Sequence, residues 1–122
     1  MIINEVLLNM ERDALALFCH LVPDAAGVLM QQFRHSDLIA REFSNCGFFT
    51  SFSVKENAPK MPKKQMAISS VNGYIYGSGM TNYVGFVLFV NHGVIDFMEC
   101  HQWDDSPLVE IIESYQLELG SC

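Results

Sequence analysis

The chain has 122 residues, a net charge of −7 and 50% apolar residues, including nine Phe and seven Met, against only 17% charged. That length suits one domain with a real core, and that apolar content argues against intrinsic disorder. The acidic balance argues against a nucleic-acid partner, because a negative field repels phosphate.

From the N-terminus, Asn4 is placed to cap a helix, with Glu5 in its first turn where the helix dipole favours it. Leu7, Met10, Ala14, Leu17 and Leu21 recur at helical spacing, and Leu8, Leu15, Phe18 and Val22 widen the stripe. Glu11, Arg12 and Asp13 fall largely away from it, so the helix is expected to bury one broad face. The same charges interrupt any signal-like apolar run, so a cytoplasmic chain is expected. Pro23 ends the helix, since it pushes the residue before it out of helical geometry. Asp24 can cap a shorter helix over 25–33 with Val28, Leu29 and Phe33 inward, although Gly27 weakens it.

Residues 37–43 fit a helix or a strand. A hairpin with strands at 38–44 and 48–54 is preferred, because Ser44-Asn45-Cys46-Gly47 leaves room only for a turn. Lys55 to Lys64 reads as a loop: Pro59 and Pro62 remove donors and four lysines gather there. It lacks the glycine-rich turn of a phosphate site. Gln65 to Tyr76 resumes strand character, with a bulge expected between Ile68 and Val71 where the parity shifts. Asn72-Gly73 could instead turn a small hairpin.

Tyr83 to Cys100 organises the rest. Val84 to Val90 is almost wholly apolar, too short for a membrane span and suited to a central strand. Asn91-His92-Gly93 interrupts it, and Gly93 can take the positive φ of a tight turn. Val94 to Cys100 then runs back beside it. Beyond a polar stretch, Leu108 to Ile112 reads as one helical turn. Tyr115, Leu117 and Leu119 alternate as a last half-buried strand.

All seven Lys and Arg lie at or before Lys64, whereas Asp96, Glu99, Asp104, Asp105, Glu110, Glu113 and Glu118 follow it. The second half should present an acidic surface that attracts basic partners, although acidic residues also keep an apolar chain soluble. The most site-like segment runs from Glu99 to Asp105. On an extended strand Glu99, His101 and Trp103 share a face. Trp103 beside Asp104 and Asp105 fits a protein-binding rim, or a cap over the end of the core. A metal centre would need a third ligand, which no local spacing supplies. No cofactor motif is present. Cys19, Cys46, Cys100 and Cys122 form no CxxC pair, and Cys46 and Cys100 read as core fillers. Arg41 could pair with Glu99 or Asp96 across the sheet.

The run REFSNCGFFTSFSV at Arg41 to Val54, Ala58-Pro59, and GFVLFVNHGVIDFMECHQW at Gly85 to Trp103 resemble motifs of a family of small bacterial proteins of uncharacterised activity. The resemblance rests on Arg41, Glu42, Phe43, Gly47, Phe48, Phe49, Gly85, Phe86, Leu88, Phe89, Gly93, Asp96 and Glu99. It implies a single-domain cytoplasmic protein and carries no catalytic motif. The chain departs from it in having Cys100 and His101 where those proteins show glycine and tyrosine.

Together these readings predict an α+β fold, with N-terminal helices on an antiparallel sheet of five or six strands. The expected function is a non-enzymatic protein-binding module, of the kind an immunity-type inhibitor represents, using Asp96, Glu99, His101, Trp103, Asp104 and Asp105 on a basic protein. The alternatives are a small hydrolase or metal-dependent enzyme using His101 and Glu99, and a homo-oligomeric structural protein such as a homodimer.

Overall fold

The computed structural model describes residues 5–44, 46–103 and 111–120. Two helices come first, α1 (Glu5–Leu21) and α2 (Ala26–Arg34), joined by a short 3-10 turn at Pro23–Ala25. Six strands follow: β1 (Ser36–Ser44), β2 (Gly47–Val54), β3 (Gln65–Gly77), β4 (Met80–Asn91), β5 (Val94–Gln102) and β6 (Ser114–Leu119). They form one antiparallel sheet in the order β1-β2-β5-β4-β3-β6, so the expected α+β architecture is observed. The β4–β5 hairpin holds the two central positions.

Local chemistry accounts for most boundaries. Pro23 stops α1 as expected. Ala25, not Asp24, occupies the N-cap position of α2, and no side chain caps it. Asp24 instead falls inside the 3-10 turn, because Pro23 begins that turn one residue earlier. Ser78 and Gly79 both have positive φ, and so do His92 and Gly93. Each pair is a two-residue hairpin turn whose backbone twist matches that of the flanking strands. Asn72-Gly73 makes no turn; β3 runs straight through it, carrying the expected bulge between Ile68 and Val71. Residues 37–43 are strand. The helical turn expected at Leu108 to Ile112 lies mostly outside the described residues, and Ile111 to Glu113 is irregular.

The helices cover one face of the sheet. Leu7, Met10, Ala14, Leu15 and Phe18 of α1 and Leu29 of α2 pack on Phe48, Val71, Ile75, Val84, Phe86, Leu88, Ile95 and Met98, all at most 5% exposed. From Phe86 to Asn91 of β4, buried and half-buried residues alternate. That pattern marks a sheet with one face on the core and one left partly open. Truncating a ring at the centre of this layer, Phe86 for example, would cost about 3–5 kcal/mol.

The lysine-bearing loop is tied to the far end of the central hairpin. The buried Gln32 amide donates to Pro59 O (2.8 Å) and Gly93 O (2.9 Å), and its Oε1 accepts from Ile95 N (2.9 Å). Met61 N also donates to Gly93 O, and Gly93 N to Lys64 O. Gly93 has φ +79, and a Cβ there would lie 3.1 Å from Met61 O, so only glycine serves this turn without strain.

Candidate functional site: the open face of the sheet

The strand alternation that buries Phe48, Thr50, Phe86 and Cys100 under the helices sends their neighbours the other way. The open face therefore carries Glu42, Phe49, Asn72, Tyr74, Tyr83, Gly85, Val87, Phe89, Phe97, Glu99 and His101, by the cross-strand register. Two aromatic groups form on it. Phe49 meets Phe97 edge-on at 5.8 Å, and Phe97 stacks on Phe89 at 4.4 Å. Tyr74, Tyr83 and Trp103 follow one another at 5.1 and 6.3 Å, and His101 meets Trp103 edge-on at 4.6 Å. Phe49, Tyr74 and Trp103 remain 37%, 38% and 55% exposed.

Glu99, His101 and Trp103 thus come together as their alternate spacing predicts. His101 Nδ1 lies 3.2 Å from Glu99 Oε1. The contact has ion-pair distance but not the alignment of a hydrogen bond. The register sets Gly85 directly opposite His101. A Cβ on Gly85 would lie 2.7 Å from Trp103 Cζ2 and 2.9 Å from His101 Nε2. The missing side chain is what lets both rings lean over the strand. Beside them is a hollow of about 360 Å³ lined by Ser69, Ser70, Asn72, Val87, His101 and Trp103. The β3 bulge opens it, for Ser69 and Ser70 sit where the register slips and Ser70 has φ +77.

The other predicted site residues stand apart. Asp96 accepts a hydrogen bond from Asn91 Nδ2 (2.8 Å) near the hairpin turn, three residues and about 10 Å of strand from Glu99. Asp104 and Asp105 lie outside the described residues. Trp103 is mostly exposed rather than buried as a cap over the core.

On the helix side, three sequence expectations are corrected. Arg41 pairs with neither Glu99 nor Asp96, because its side chain points to the opposite face. Its Nη2 and Nε donate to Glu11 at 2.5 and 3.2 Å, and Thr50 Oγ1 also donates to that carboxylate. Glu11 is only 1% exposed, although its position among charged neighbours placed it toward water. Cys46 is exposed rather than a core filler, because it sits in the β1–β2 turn. Cys100 is buried as expected. Burial first, then the negative charges of Glu11 and Glu99, pushes its thiol far above the ordinary cysteine range, so it is no nucleophile.

Among the described residues no group of three His, Cys, Asp or Glu side chains could hold a metal ion. No single described helix is long and apolar enough to cross a membrane. Comparison with protein-family models, curated proteins and solved structures finds no significant match, leaving the chain's own geometry to carry the case for a function.

Proposed function

We propose that the chain is a non-enzymatic protein-binding module whose open sheet face engages a basic protein, as an immunity-type inhibitor would. One observation carries this reading: the face the helices leave open is aromatic and acidic, and β2 to β6 contain no lysine or arginine. The one cation in β1, Arg41, is turned to the other face and held by Glu11. The four lysines of the 55–64 loop belong to the hairpin-turn end of the sheet, away from Glu99 and His101. Among the described residues none of them makes an ion pair with a carboxylate.

Aromatic side chains ringed by charge supply the large desolvated area and orientation that hot spots use. Pairing two copies through this face would bring two acid-only surfaces together, so the charge favours a partner of opposite sign over a second copy. The enzyme alternative draws support from the convergence of Glu99 and His101 beside a hollow. It lacks an aligned hydrogen bond between them, so the binding reading stands first.

The test compares the native chain with a Phe49→Lys, Glu99→Lys double variant. Each is used to capture partners from the host, captured proteins are identified by mass, and the complex is rebuilt from purified components. A basic protein bound by the native chain, weakened by added salt and lost with the variant, is the expected result. No partner, or one the variant still binds, would overturn the reading.

A further inference from the structure

We infer that the hollow beside Trp103 is the pocket that receives an arginine side chain of the partner. This deepens, and rests on, the reading of the open face as a site for a basic protein. The hollow is lined by two serines, the Asn72 amide, the His101 imidazole and the Trp103 indole, and none of these carries a fixed positive charge. Its acceptors are the Asn72 carbonyl, the serine hydroxyls and, in the neutral imidazole, one ring nitrogen. Glu99 lies against the Nδ1 side of His101, which leaves Nε2 on the side of Gly85 and the hollow. On the opposite flank the strand register sets Glu118 of β6 level with Asn72, and it is exposed. Two carboxylates therefore flank a cleft whose floor is glycine and whose wall is an exposed indole.

Among protein side chains, guanidinium fits this chemistry best. It is planar and always charged, it stacks on aromatic faces, and its several N–H groups can reach acceptors spread around a rim. An ammonium has the charge but not the plane. A neutral planar group has the shape but draws nothing from the carboxylates. A carboxylate or phosphate would be repelled by both.

The chain has a single tryptophan, so Trp103 emission reports this hollow directly. The experiment titrates the full chain with one short peptide made in three forms, with arginine, lysine or citrulline at its centre. Citrulline keeps the plane and removes the charge. The expected result is a saturable change in Trp103 emission with the arginine form, about tenfold tighter than with citrulline, with lysine between them, on the scale of about 1.4 kcal/mol per factor of ten. Gly85→Ala should abolish the response, because the added methyl displaces both rings, which are side-chain ends free to shift. Glu99→Gln and Glu118→Gln, which alter only exposed or half-exposed groups, should each weaken arginine binding several-fold while the melting temperature holds. Equal binding of arginine and citrulline, no saturable response, or indifference to both glutamine variants overturns the assignment. Should the purified basic partner bind the native chain and Gly85→Ala equally well, the arginine pocket falls while the face reading stands. Should the partner still bind the Phe49→Lys, Glu99→Lys variant, the face reading itself falls.

Discussion

Glu11 shows what a one-dimensional pattern leaves out. In sequence it sits beside Arg12 and Asp13, yet four residues from Leu7 and three from Ala14 it falls on the apolar stripe of α1, where burying a lone carboxylate would be costly. Its burial depends on a guanidinium and a hydroxyl that arrive from β1 and β2, 30 and 39 residues away. Arg41 and Thr50 are legible as strand residues, but nothing local says which carboxylate they meet. Removing one partner should leave the other charge buried and unpaired. Arg41→Ala is therefore expected to cost about 3–5 kcal/mol in urea unfolding, whereas Glu11→Leu combined with Arg41→Leu should recover most of that loss. A double variant as unstable as Arg41→Ala would show that packing, not charge, holds this corner. The cysteines divide in the same local way. Iodoacetamide should label exposed Cys46 in the native state and reach Cys100 only on unfolding, as peptide mass mapping would show.

Strands and turns were the readable elements. The β1–β2 and β4–β5 hairpins and the β3 bulge follow from turn chemistry and side-chain parity, both short-range signals. What no local signal supplied was the order of the sheet, with β5 between β2 and β4, or the place of β6 beside β3. Nor did it supply Gln32, a polar residue on α2 that proves to be a clamp. Its side chain joins α2, the 55–64 loop and the β4–β5 turn through three hydrogen bonds. Gln32→Leu should leave Ile95 N and Pro59 O without that partner and cost about 2 kcal/mol. It should also speed tryptic cleavage at Lys60, Lys63 and Lys64, since a loosened loop opens for the protease. Unchanged cleavage would mean the backbone bonds of Met61 and Gly93 suffice. At the other edge, Tyr115 of β6 donates to Asp13 of α1, and partial burial together with that bond raises its phenol from 10.0 to about 12. The folded state thus keeps a proton that the unfolded chain gives up. The contribution is complete below pH 10 and is lost as pH rises toward about 12. In chemical denaturation across that window, Tyr115→Phe should lose stability less steeply than the native chain; matching slopes would remove Tyr115 from the account.

The whole molecule is a sheet clad on one side, and that much was legible in the succession of two helical patterns and several alternating ones. The identity of the open face was legible only in part. Glu99, His101 and Trp103 could be aligned by counting residues, but the Phe49–Phe97–Phe89 group depends on three strands meeting in register. So does the pairing of Gly85 with His101. An acid-only face also carries a consequence for assembly. Sedimentation should show a single species near 13.8 kDa at micromolar concentration and physiological salt. A stable dimer that Phe97→Lys disperses would move the self-association reading ahead of a foreign partner.

The cross-strand register also sorts charge along the strands. Glu42 and Glu99 lie level with each other across β2, Glu118 lies at the height of Asn72 and Glu113 stands beyond it, all toward one end. Lys60 and Lys64 meet the sheet at its other end, by Gly93. The protein is therefore an electric dipole with its long axis parallel to the strands. A cationic surface approaching through solvent exerts a torque on such a body and turns the acidic end, with Glu99 and Trp103, toward itself before the two touch. Orientation is then settled by the long-range field, and the rings have only to close the last few ångströms.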